Sequence, residues 1–94
     1  MYTTLCIPRI ENAIDLEYVR STINKMNIGN IKSVFEIPLH ANTEYKRVMI
    51  QMDINKTDDR GLFILDRINT GKNIKIVHNS PSYWKVVMGR GKVG

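Results

Sequence analysis

Apolar and polar positions set the elements of this chain almost one by one. Residues 3–10 read as a strand, with Leu5, Ile7 and Arg9 on one alternation and Thr4, Cys6 and Pro8 on the other. Pro8 donates no ladder hydrogen bond, so the strand ends or bulges there. Asp15 then suits a helix N-cap, because Leu16, Val19, Ile23 and Met26 follow at steps of three, four and three residues. Glu17 and Lys25 match the helix dipole, and Asn27-Ile28-Gly29-Asn30 stops the helix. A second strand covers residues 31–39, with Pro38 marking an edge or an end. A third covers residues 44–54, where Val48, Ile50, Met52 and Ile54 alternate with Arg47, Met49, Gln51 and Asp53. Thr57 or Asp58 caps a helix over 58–70 whose inward face is Leu62, Leu65 and Ile68, and Gly71 terminates it. Residues 72–78 make a fourth strand. Residues 79–82 turn the chain, and Tyr83–Met88 form a further apolar segment.

The order β-α-β-β-α-β predicts an α+β, ferredoxin-like fold. Right-handed crossovers give a four-stranded antiparallel sheet in the order 4-1-3-2, with both helices on one face. The short apolar segment and a basic tail are appended, so the domain covers residues 1–88 and a flexible Gly-rich tail covers 89–94. At 94 residues the chain has room for one core. With 43% hydrophobic and 24% charged residues it has the composition of a globular domain and not of a disordered one. No apolar run reaches the roughly 18–20 residues of a membrane span, and no basic-then-apolar leader opens the chain. The single Cys6 fits a reducing, intracellular setting.

Element order and spacing over about residues 3–79 resemble the RNA recognition motif family. Leu5-Cys6-Ile7-Pro8-Arg9-Ile10 is similar to the family's first-strand motif. Tyr45-Lys46-Arg47-Val48-Met49-Ile50-Gln51-Met52 occupies the place of its third-strand motif, and Gly29–Val34 that of its helix-to-strand junction. The resemblance implies an open sheet face on which aromatic rings stack on unpaired bases. The positions of those rings fall here on Cys6, Arg47 and Met49, so the pattern departs from the family at the stacking residues. The Ile, Asn and Lys bias also suits a small protein of a large DNA virus, some of which look like this fold.

Charge sharpens the functional expectation. Residues 1–66 carry nine acidic and eight basic side chains, a balance of −1. Residues 67–94 carry Arg67, Lys72, Lys75, Lys85, Arg90 and Lys92 with no acid, a balance of +6. Such a region is a footprint for a polyanion, and the bland alternative is a solvated basic end. By parity Cys6, Arg47, Met49, Lys75 and Phe35 project away from the helices. Two arrangements are open. Tyr83-Trp84 and Val86-Val87-Met88 fold back over that face, with Trp84 a buried anchor, or the face stays free and Arg47, Tyr45 and Trp84 meet bases while Lys72, Lys75, Lys85, Arg90 and Lys92 meet phosphates.

Enzymatic signals are weak throughout. His40, His78 and Cys6 have no metal-ligand spacing. Asp58-Asp59 suits a helix N-terminus better than a carboxylate pair, no glycine-rich phosphate loop is present, and Arg9-Ile10-Glu11-Asn12 matches an acylphosphatase-like loop poorly. The expectation is a non-catalytic module without cofactor or metal, binding single-stranded nucleic acid, RNA foremost, mainly through charge. The rival expectation is a protein-interaction or assembly module, viral structural or accessory proteins included. In it Cys6, Phe35 and Met49 meet a protein partner or a second copy.

Overall fold

The computed structural model describes residues 2–79 and 82–89. Its elements are β1 (Thr3–Glu11), α1 (Leu16–Lys25), β2 (Gly29–Pro38), β3 (Tyr45–Ile54), α2 (Asp59–Asn69), β4 (Ile74–Asn79) and β5 (Ser82–Met88). Asp15 caps α1 by accepting the Tyr18 N–H at 2.9 Å, and Asp58 caps α2 by accepting the Arg60 N–H at 2.8 Å. Asn27 at φ 56° and Gly71 at φ 81° take the left-handed turns that end the two helices.

The sheet corrects the expected topology. It has five strands in the order β2-β3-β1-β5-β4, not four in the order 4-1-3-2. The first three neighbours are the expected ones, but the slot beside β1 belongs to β5. Leu5 pairs with Met88 and Cys6 with Val87, while β4 is moved to the edge. Every adjacent pair is antiparallel, so β5 runs parallel to β3 and takes the place assigned to the strand after α2. Side-chain content explains the exchange. β4 offers only Ile74 and Ile76 to the core and sets Lys75 and Val77 toward solvent, as an edge strand should. β5 carries Trp84 and Val86, whose burial needs a strand on either side.

Both helices cover one face of this sheet. Val19 and Ile23 of α1 and Ile64 and Ile68 of α2 join Leu5, Ile7, Ile10, Val48, Ile50, Met52, Trp84 and Val86 in one core. The inward stripe of α2 is Gly61, Ile64 and Ile68, not Leu62, Leu65 and Ile68; Leu62 is exposed and Leu65 partly buried. Gly61 sets that rotation. A Cβ there would stand 1.9 Å from the Asn55 carbonyl oxygen, so the backbone of α2 approaches the β3–α2 loop along this line. Lys46, also on the helix side and 4% exposed, donates to Glu36 at 2.8 Å and to the Ile14 carbonyl, which removes the cost of an unpaired buried ammonium.

Residues 82–88 therefore do not fold back over the open face. They lie within the sheet, and Gly89, assigned to the tail by sequence, is buried and donates its N–H to the Thr4 carbonyl at 2.8 Å. Arg90 and Lys92 lie outside the described residues.

Candidate nucleic-acid interface

Strand register fixes which side chains occupy the face away from the helices. Phe35 pairs with Met49 and Met49 with Cys6, and Cys6 pairs with Val87, so these four form one row across β2, β3, β1 and β5. Beside them, Ile37 is opposite Arg47, Lys75 opposite Lys85 and Val77 opposite Tyr83. Inserting β5 thus widens this face and adds Tyr83 and Lys85 to it. Cys6 and Met49 are each 7% exposed at its centre, whereas Phe35, Ile37, Val77 and Tyr83 are exposed around them.

Arg9 reaches this face because β1 is irregular. Simple alternation from Leu5 and Ile7 sends Arg9 toward the core. Between Ile7 and Ile10 the register with β3 shifts, so Ile10 enters the core and Arg9 turns outward. Its guanidinium lies 4.2 Å from the centre of the Tyr45 ring. Lys75 lies 5.0 Å from the centre of Tyr83, and Lys32 lies 4.6 Å from that of Tyr2, which continues the parity of Thr4 and Cys6. Each ring is polarised by a cation that stays available to an anion. Three tyrosines thus stand near the margins of a face whose centre lacks aromatics.

Electrostatically, Arg9, Arg47, Lys75 and Lys85 share the open side, with Glu11 at one rim and Asp53 at the other. Lys75 and Lys85 are direct cross-strand neighbours, a like-charge pair that costs stability unless an anion bridges it. Among the described residues the ion pairs are Lys46–Glu36 and Arg60–Asp58, and neither involves a cation of this face. Burial pushes the Cys6 thiol up, and the nearby Arg47 charge offsets part of that rise. Among the described residues no group of His, Cys, Asp and Glu is arranged to hold a metal ion.

The sequence-derived candidates are divided by this geometry. Tyr45, Arg47, Lys75 and Lys85 come together on the open face with Cys6, Phe35 and Met49. Trp84 does not. It is 3% exposed on the helix side, stacked on His78 with 4.4 Å between ring centres and met edge-on by Tyr18. A contact between Trp84 and bases on the open face is thereby ruled out. Lys72 is exposed in the α2–β4 loop, its N–H bound to the Arg67 carbonyl at 2.9 Å. Arg67 itself donates to the Asn73 carbonyl and lies over Phe63, so part of the basic third sits on the α2 side. Sequence reasoning missed Arg9, Tyr2 and Tyr83. The signal for Arg9 was Pro8, since a bulge there releases the next residue from the core parity.

No protein-family model, curated protein or solved structure matches the chain. No helix among the described residues is long and apolar enough to cross a membrane.

Proposed function

We propose that the open face of the sheet binds single-stranded nucleic acid, with no chemical step. The observation that carries this reading is the cluster of Arg9, Arg47, Lys75 and Lys85 around tyrosines on one face, none of them in an ion pair among the described residues, above all the Lys75–Lys85 pair. Two lysines in direct cross-strand register repel each other, and a polyanion lying along this face relieves that repulsion. Tyr45 and Tyr83 supply rings for splayed bases, and Arg47 supplies a guanidinium plane beside the apolar row. RNA is the foremost ligand, since unpaired bases are its common recognition element.

Fluorescence anisotropy with labelled single-stranded RNA and DNA tests the proposal. Four phosphate contacts give a slope of log affinity against log salt of roughly −3. Absence of binding at micromolar protein in low salt refutes it. A second reading, docking of a protein partner or a second copy on the same face, is favoured by the exposed Phe35 and Ile37 on strand β2. Under that reading light scattering gives a dimer or a complex mass, and Phe35→Ser abolishes it.

A further inference from the structure

We propose that the cleft between the diverging ends of β1 and β5 is a pocket for a single nucleotide. This deepens the function proposed above and rests on it for the ligand class. β1 and β5 pair at Leu5–Met88 and Cys6–Val87, and no register pair joins them beyond Cys6. Past that point β1 bulges and continues to Glu11, still held to β3 through Ile10–Lys46 and Glu11–Tyr45, while β5 begins at Ser82. The strands separate, and the gap is a cleft of about 360 Å³. One wall is Arg9, Glu11 and Tyr45, and the other is His78, Tyr83 and Trp84.

The lining has the chemistry of a nucleotide site. A volume of this size lies in the range of small-ligand pockets. Tyr45 and Tyr83 stand on opposite walls, so a planar base entering from the open face meets a ring on either side. The stacked His78–Trp84 pair, 19° from parallel, makes a firm inner boundary. Arg9, whose described contact is the face of Tyr45, can carry a phosphate while its plane stays on that ring. Lys75, held over Tyr83, supplies a second cation on the opposite side. Glu11 is the acceptor for an amino or hydroxyl hydrogen, which makes a nucleotide a better fit than a bare anion. The opening is a consequence of the β1 bulge and of the pairing of β5 beside it.

Trp84, the only tryptophan of the chain, lines the cleft and reports its occupancy by fluorescence. The full chain is titrated with adenosine 5′-monophosphate and uridine 5′-monophosphate, with inorganic phosphate at matched ionic strength as control. The expected result is a saturable change in Trp84 emission with the nucleotides only, weakened roughly tenfold in Arg9→Ala. Tyr83→Ser weakens it too, while far-UV circular dichroism shows both variants folded. Nucleotides that act no differently from phosphate overturn the pocket, as does an unchanged affinity in folded Arg9→Ala. The two proposals separate cleanly. Oligonucleotide binding that depends on Arg47 and Lys85, with mononucleotides acting no differently from phosphate, leaves the open face standing and removes the pocket. Saturable mononucleotide binding in a protein that ignores oligonucleotides keeps the pocket and removes the wider interface.

Discussion

Replacing Trp84 with Ala removes the largest side chain of the core from the strand that defines the topology. The ring is 3% exposed, stacks on His78 at 4.4 Å and receives the edge of Tyr18 at 5.9 Å. Truncation of such an aromatic costs about 3–5 kcal/mol through lost transfer energy and the cavity left behind. A chain of this length has a total stability of about 5–14 kcal/mol, so the loss is a large fraction of it. Urea unfolding followed by far-UV circular dichroism measures the effect, and the midpoint is expected to fall by roughly 2–3 M at a usual slope. Trp84→Phe, which keeps a ring against His78, is expected to lose less than half as much. A loss below about 1 kcal/mol in Trp84→Ala would refute the placement of β5 between β1 and β4, since an edge or surface strand leaves this ring half in water.

Three further outcomes follow from single contacts. Gly61→Ala, a change that favours an exposed helix by about 1 kcal/mol, is expected here to lower the melting temperature, because the new Cβ meets the Asn55 carbonyl; a rise contradicts the close approach. Lys85→Gln relieves the Lys75–Lys85 repulsion, so stability measured by urea unfolding rises by roughly 0.2–1 kcal/mol while oligonucleotide affinity falls, and a loss of both properties would contradict the like-charge account. The Cys6 thiol is raised by burial, so the unfolded chain gives up this proton first. Stability is therefore intact below the ordinary thiol range and declines as pH rises through it, a slope that Cys6→Ala is expected to abolish and that urea midpoints taken across alkaline pH would reveal.

Local chemistry made most elements legible, and long-range pairing did not. The α1 boundaries followed from Asp15 and the Leu16-Val19-Ile23-Met26 stripe, and the third strand from four alternating apolar residues. The rotation of α2 was not legible because Leu62-Leu65-Ile68 and Gly61-Ile64-Ile68 are both helical stripes. The choice rests on a backbone approach that only a glycine permits, and periodicity does not register it. The place of β5 was missed for a related reason. Crossover rules send the first strand after a helix to the neighbouring slot, yet Trp84 and Val86 made the later strand the more apolar of the hairpin and so the central one. At the interface, parity correctly grouped Cys6, Phe35, Arg47, Met49 and Lys75. It failed at Arg9, where one irregular step in β1 reverses the faces; for Trp84 a buried anchor and a base contact both stayed open, because the orientation of its strand was not legible.

Backbone amide shifts in a ¹⁵N spectrum, recorded while a short single-stranded RNA is added, bear most directly on the open sheet as the working surface. Shifts concentrated at Cys6, Arg47, Lys75 and Lys85, with the outer sides of α1 and α2 silent, are the expected result. Shifts confined to the helical side around Leu62, Phe63 and Lys72 would contradict it, and so would a spectrum that the RNA leaves unchanged.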